Sequence, residues 1–370
     1  MTPYEILLQE GFVHNVMLVG NRREMQRRIR DIVHGTERRL EQSLINQASL
    51  LSGADVTRIR RGVFRGSARL EELASRLDNF VGEVSDVIRQ ETLDAARDLA
   101  AYEAAFWQDR YRQLTVDTPE LAPIINTESA FVRDARTNVS RLPLVAGTIA
   151  AGIATYRRNR RERLRRGITA ASQTEGLPGI LGFLLVTPAQ RRRGRIIGET
   201  TRNINVATGD VHTHAAAIGA KTFADTNPRF DLVWTSIIDE RTSSICLTRN
   251  GQFVNRDLDG LLPPAHINCR SIAVPLILSE RLTDAQRGRL RRDTRRAIER
   301  GLPNFNSTQD SFSQLSEARQ RQLLGAQRLR IVQERGLNVR DLIGDDESFI
   351  SLEELAQREG LDLSDIRRAA

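Results

Sequence analysis

Six apolar residues, Leu70, Leu73, Leu77, Phe80, Val84 and Val87, step along the chain by three and four. That spacing puts them on one stripe of an α-helix, and the stripe must be covered by a partner helix. It spans only about three heptads, which predicts a buried bundle helix in preference to a coiled coil. Upstream, Arg22 to Leu51 is charged, amphipathic and free of proline. Downstream the helical pattern runs through Trp107 and Tyr111 and stops near Asp117-Thr118-Pro119. Aromatic residues make up 5% of the 370, a sparse supply that suits a helical fold rich in leucine and alanine better than a β-sandwich.

The rest of the chain divides by composition. Pro123 and the polar stretch 126–138 predict a turn region with a short helix, closing a helical region over 1–140. Residues 141–190 read as a basic and apolar connecting segment. Two apolar stretches there, 142–156 and 177–186, fall short of the ~20 residues that a membrane span needs, so core packing is expected and no stable membrane span. A helix is predicted from Arg195 to about Asp225, ended by Asn227-Pro228. Phe230 to Ile238 then reads as a strand, and Ser271 to Leu276 as a second. Thr283 is placed as the N-cap of a basic helix reaching Arg300, and Ser316 to Arg335 as a further helix closed by Gly336. The expected architecture is mainly α with a small α+β C-terminal domain over 191–345: long N-terminal helices, then a helix packed on a short sheet with a Cys/His loop cluster. Residues 346–370 read as an acidic tail, since Asp341 to Asp365 holds nine carboxylates.

Charge points to an anionic partner. The formal net charge is +8 and the pI about 10.4, and Lys221 is the only lysine. Arginine presents a planar fork of donors suited to phosphate, although a GC-rich genome gives the same bias. Arg157, Arg158, Arg160, Arg161, Arg163, Arg165 and Arg166 stand in one run beside a single glutamate, and Arg191, Arg192 and Arg193 follow. No aromatics are interleaved, so these arginines predict non-specific contact with the backbone of double-stranded DNA and no base stacking. The other reading of each run is a solvated helix face. The N-terminus does not read as a signal peptide, and two cysteines cannot build a disulfide framework; both fit synthesis in a reducing cytosol.

Both cysteines, Cys246 and Cys269, and one of five histidines, His266, fall in a short window after the first strand. These are ligands of the kind that zinc prefers, with Asp239, His212 or His214 as a fourth. His212 and His214 lie two apart on a predicted helix, so they point in different directions. A bound structural zinc, a metal-free hydrogen-bonded cluster and a single disulfide all remain open readings. Asp239, Glu240 and Arg241 read as an ion-paired turn, with Arg270 as a buttress. No His-Glu-x-x-His, glycine-rich phosphate loop or nucleophile elbow is present. An enzyme is therefore not expected, and a zinc-dependent hydrolase or transferase using Glu240 as base is the minor alternative.

Asp239-Glu240-Arg241-Thr242, Cys246, the turn at Gly251 and Phe253, Pro263-Pro264-Ala265-His266 and Asn268-Cys269-Arg270 resemble the signature of the phage head-morphogenesis family, the Mu F-like minor head proteins of tailed phages. Gly198 to Asn203, Trp234, Gln320 to Gly325, Arg328, Leu329, Gly336, Leu337, Asp341 and Leu342 extend the resemblance over roughly 190–345. Where many relatives carry a cysteine or histidine after the arginine-threonine pair, this chain has Ser243-Ser244. The resemblance implies a minor capsid protein inside the phage head, made in the host cytoplasm. Its implied partners are the portal protein, other copies of itself and packaged DNA, with a role in head assembly and DNA ejection. A DNA-binding protein that stays outside the virion is the alternative.

Overall fold

The computed structural model describes residues 2–126, 130–141, 143–184, 197–254, 262–266, 268–300, 308–343 and 349–361. The chain divides into two compact units, one of Met1–Gly20, Asp98–Val139 and Thr213–Ala370, the other of Asn21–Arg97 and Ser140–His212. The sequence segments 1–140, 141–190, 191–345 and 346–370 run end to end, whereas these units interleave. In chain order the first elements are α1 (Pro3–Ser49), α2 (Gly53–Arg60), α3 (Ala68–Asp117), α4 (Ala130–Arg141), α5 (Pro143–Glu175), α6 (Leu177–Leu184) and α7 (Ile197–Asp225). They are followed by β1 (Phe230–Thr235), α8 (Ser244–Arg249), β2 (Phe253–Val254) and β3 (Ile272–Ile277). Six short helices complete the described chain: α9 (Asp284–Arg289), α10 (Arg292–Arg300), α11 (Thr308–Ser313), α12 (Glu317–Leu324), α13 (Ala326–Arg335) and α14 (Leu352–Glu359). The fold is mainly α with one small sheet, as the periodicity predicts.

In the second unit the predicted stripe is the core. Leu70, Leu73, Leu77, Phe80 and Val84 are buried, with Ile29, Val33, Tyr156, Leu164 and Ile168 around them, while Val87 is only half-buried and Ile88 takes the core position instead. Residues 141–190, expected as a connecting segment, carry α5 and α6 instead. Tyr156, Arg160, Leu164 and Ile168 recur every fourth residue and face inward, so the arginine-rich composition conceals an ordinary helical stripe.

The first unit is built around the sheet, whose strand order is β2-β1-β3 with both pairings antiparallel. Each residue of β1 and β3 is buried, which explains their near-continuous apolar sequences. β3 is an edge strand, where Pro275 is tolerated because its missing N–H need not join the ladder. Two tyrosines cover that edge: Tyr111 donates to the Pro275 carbonyl at 2.5 Å, and the Ile277 N–H donates to the Tyr4 hydroxyl at 3.1 Å. Tyr111 stacks on Phe223 of α7 and meets Phe230 of β1 edge-on.

A second core in this unit gathers Leu247, Leu315, Leu324, Leu329, Val332, Leu342 and Leu355. Here three expectations change. Ser316 to Arg335 is two helices, because Gly325 adopts φ +81° between α12 and α13. Thr283 caps its helix through a capping box with Gln286, but that helix ends before Leu290 turns extended and α10 begins. The acidic end is not all tail: α14 is N-capped by Ser351, closed by Gly360 at φ +64°, and buries Leu355 and Ala356.

α7 lies against α3 at Gly219. A Cβ at that position would sit 2.6 Å from the Ala100 carbonyl oxygen and 3.0 Å from the Ala104 nitrogen, both backbone atoms that cannot step aside. Gly219→Ala is expected to destabilise the protein by about 1–3 kcal/mol through overpacking. Urea unfolding of the variant checks this, and a midpoint equal to that of the parent would show that the helices have room to separate.

Candidate metal and turn site

The site lies where the chain leaves β1, turns, and returns to β3. Asp239 organises the turn: its backbone N–H donates to Thr242 Oγ1 at 2.7 Å, and its Oδ1 accepts from the Arg241 N–H at 2.8 Å. Such Asx geometry is the local reason for an aspartate here. Arg270, from the far side of the loop, grips the same carboxylate with both terminal nitrogens, at 2.6 and 2.5 Å. Arg241 is exposed and reaches Asp239 only at 3.8 Å. The expected ion-paired turn is present, with Arg270 as its main partner. A bidentate fork of this kind fixes direction as well as distance.

Beyond the turn, Ser243 caps α8 by accepting from the Cys246 N–H at 3.2 Å. The cap sets Cys246 in the first turn of that helix, buried against the core. The second approach is a cis Pro263-Pro264 bond followed by His266. Asn268 then adopts φ +63°, a left-handed conformation that asparagine tolerates better than most residues. The Cys269 N–H closes back on the His266 carbonyl at 3.1 Å. Cys269 thereby faces Cys246.

Cys246 Sγ lies 3.0 Å from His266 Nε2 and 3.6 Å from Cys269 Sγ, and the two cysteines form no disulfide. The three ligand atoms lie within 4.8 Å of one another, so the group can hold a metal ion. Two thiolates on a tetrahedral zinc stand about 3.8 Å apart, given Zn–S bonds of about 2.3 Å, close to the separation seen. The hydrogen bond between the cysteines splits their acidity: Cys246 is pushed up by that contact and then by burial, and Cys269 is pulled down, against its burial, as it accepts from Cys246 and from His266. A thiolate at Cys269 is the ligand form.

None of the expected fourth ligands joins this group. Asp239 is held by Arg270. His214 Nδ1 lies 3.1 Å from the Pro263 carbonyl oxygen, and so braces the loop from outside the group. His212 is buried on α7, its pKa lowered to about 3 by burial first and by Arg22 second. The position nearest the group is Ser243, whose Oγ is 2.7 Å from His266 Nε2. Residue type alone does not mark Ser243 as part of the site, although a serine directly before a helix is a legible cap.

A second layer is likewise hidden in the sequence. Ser271 donates to Cys246 Sγ at 3.3 Å, and Ser236 Oγ lies 2.8 Å from Ser271 Oγ while donating to the Cys246 carbonyl at 2.9 Å. Trp234 Nε1 donates to Ser236, and Thr213 donates to the Cys269 carbonyl. Partners of this kind orient ligands and hold a site rigid. Glu240, the base of the enzymatic alternative, points away from the group. Its carboxylate accepts from the Ser316 N–H at 2.8 Å and the Ser316 hydroxyl at 3.0 Å. Arg319 of α12 donates to the Thr242 carbonyl, so the turn also anchors the second core.

The arginine run fares differently from expectation. Arg160 is buried and pairs with Glu37 at 2.9 Å, Arg157 with Asp86 at 3.2 Å, and Arg166 with Glu162 at 2.7 Å. Arg161 and Arg165 share Asp78. Arg163 is half-buried, and Arg158 is exposed. Arg160 is thus a core residue, whereas the other pairs lie at the surface, where an ion pair is worth little. Arg191, Arg192 and Arg193 lie outside the described residues. Among the described residues no helix is long and apolar enough to cross a membrane.

Compared with known proteins, the chain matches no family model, no curated protein and no solved structure.

Burial pushes the Asp239 pKa up, but the Arg270 hydrogen bonds, the Arg241 N–H and the two guanidinium charges outweigh it and hold the pKa below the usual value. A carboxylate depressed in the folded state contributes stability that is fully present above its unfolded pKa, near ~3.9, and is lost as pH falls through the lower folded value. Asp239→Asn should lower the melting temperature at neutral pH and flatten the loss of stability below about pH 4. Melting curves from neutral pH into that acid range test both effects. An acid limb as steep as the parent's would mean that the pair contributes nothing.

Proposed function

We propose that this chain is a non-enzymatic assembly protein, a minor head protein of the tailed-phage kind, whose Cys/His site is a structural zinc knot. One observation carries the reading: many of the residues of the resemblance that lie between 239 and 342 are spent on scaffold. Asp239 and Arg270 clasp each other, Cys246, His266 and Cys269 converge, and Glu240 holds Ser316. Gln320 donates to the carbonyls of Phe312 and Leu315, Arg328 to that of Ile350, and Gly336 closes α13 in the left-handed region. A motif used in this way specifies a shape. A zinc hydrolase or transferase needs a base beside the metal, and Glu240 is occupied elsewhere.

The donor set fits zinc: two sulfurs and one nitrogen, largely buried, with hydroxyls behind them. Cys246, His266 and Cys269 would hold the ion, and it would supply a cross-link between α8 and the approach to β3. For partners, α1 offers Ile6, Val13, Val16 and Met17, which lie at helical spacing with roughly half of each side chain exposed. An apolar stripe left open in this way suits docking on the portal protein or on another copy. Carboxylates paired along the arginine run leave DNA contact, inside or outside the virion, with less support than protein contact.

Mass spectrometry of purified heads of the phage that encodes this chain tests the proposal. A fixed ratio to the portal subunit is expected, with loss of the chain from heads that lack the portal, and reduced incorporation of a Val13→Glu, Met17→Glu double variant. Absence from every particle would overturn the assignment and favour a role outside the virion.

A further inference from the structure

In the second unit, the loop that joins α2 to α3 faces α5 across a cleft of about 700 Å³, within the ~300–1,000 Å³ range of small-molecule sites. Its walls carry Phe64, Arg65, Arg165, Arg166, Thr169 and Gln173. The loop comes from the stretch 58–69, which holds five arginines and no acidic residue. This is a further basic run, and its shortness and its two glycines disguise it in the sequence.

The cleft is built in advance of any ligand. Gly62 and Gly66 take φ +75° and +92°, which a side chain would oppose. Arg58 donates to the Gly66 carbonyl at 2.7 Å, and Ser67 donates to Asp55 at 2.6 Å. Arg60 donates to the Ser172 carbonyl at 2.7 Å, and Gln173 donates back to the Arg60 carbonyl at 3.2 Å. These bonds fasten the loop to α2 and α5, and they occupy Arg58 and Arg60 in the process.

Three guanidinium groups line the cleft, and none is held in a buried ion pair. Arg65 is exposed and makes no ion pair among the described residues. Arg165 lies 3.7 Å from Asp78, a carboxylate that Arg161 holds more closely at 2.7 Å. Its side chain is 39% exposed, so the guanidinium end can still be reached from the cleft. Arg166 pairs with Glu162 on the solvent side of α5, where both side chains are more than half exposed and such a pair is worth little. The Arg165 guanidinium lies 5.8 Å from the centre of the Phe64 ring, so a flat cation and a flat ring stand together beside the other two arginines. Inorganic phosphate would leave Phe64 unused, and an apolar ligand would desolvate three guanidinium groups without compensation.

We propose that this cleft binds a nucleotide unit, its phosphate on the arginines and its base against the Phe64–Arg165 pair, either as a free nucleotide or within a single strand. The site is independent of the proposed assembly role and of the metal knot, neither of which uses these residues.

Titration of the full chain with thymidine 5′-monophosphate, with a fluorescein-labelled oligothymidylate and with inorganic phosphate tests it. Saturable binding of a thymidylate probe is expected, with inorganic phosphate weaker than the mononucleotide. Arg65→Ala should weaken it by about tenfold or more, as loss of a charge-assisted hydrogen bond does. Phe64→Leu should narrow the preference for nucleotide over phosphate, and Arg158→Ala, outside the cleft, should leave affinity unchanged. Arg65 is exposed, so its variant should keep the parent's circular dichroism and melting curve. If the oligonucleotide binds far more tightly than the mononucleotide and both respond to Arg65→Ala, the ligand is a strand; similar affinities assign a free nucleotide. No binding of either probe at millimolar concentration would overturn the proposal, as would equal losses in Arg65→Ala and Arg158→Ala.

Discussion

Cys246, His266 and Cys269 come together where three pieces of chain would otherwise drift apart: α8, the proline-led loop up to His266, and the entry to β3. Each is too short to hold its own conformation. α8 has six residues, and no intrahelical bonding of that length is stable in water. Their order comes from closure onto one another, through the sulfur and imidazole contacts within and the Asp239–Arg270 clasp at the rim. The two closures are complementary, one soft and buried, the other charged and half in solvent. Beneath them, Ser236, Ser271, Thr213 and Trp234 tie the group to the sheet and to α7, and above them Glu240 and Arg319 tie it to α12. The first unit's two cores meet the same few residues.

The arginines show how charge on a sequence differs from charge on a surface. A run of seven suggests a face for phosphate, yet a helix spreads successive residues around its axis, and neighbouring helices supply carboxylates to meet them. Glu37, Asp78 and Asp86 lie far from the run in sequence and beside it in the fold. What matters for an anion is the charge left over after such pairing, and Arg65, exposed on a fixed loop and without an ion pair among the described residues, is one place where it remains. Arg160 makes the point from the other side, since it is a core residue, paired with Glu37 and set over Phe80.

Much of the fold was legible because its signals are local. The stripe from Leu70 to Val84, the apolar runs of β1 and β3, the Thr283 cap and the Gly336 stop each depend on a few adjacent residues. The site was half legible. Residue type and spacing identify Cys246, His266 and Cys269, and Asp239 with Arg270 as a turn and its buttress. The serines around the sulfurs were hidden, because serine is common and only the closed loop shows which ones face a thiol. The break at Gly325 was missed because a lone glycine is often carried within a helix, and only its left-handed backbone distinguishes a break from an interior position. The interleaving of the two units was beyond reach for a related reason: it depends on which distant segments pair, and composition carries no record of that.

The central claim is that the Cys/His group is a metal-ready structural knot. Its most direct test is zinc content with X-ray absorption on the purified full chain, followed by thermal unfolding with and without a chelator. About one zinc per chain is expected, bound by two sulfurs and a histidine nitrogen, with a lower melting temperature after chelation and loss of the metal in Cys269→Ser. A chain that purifies without metal, takes up none when zinc is added, and melts at the same temperature with or without chelator would contradict it.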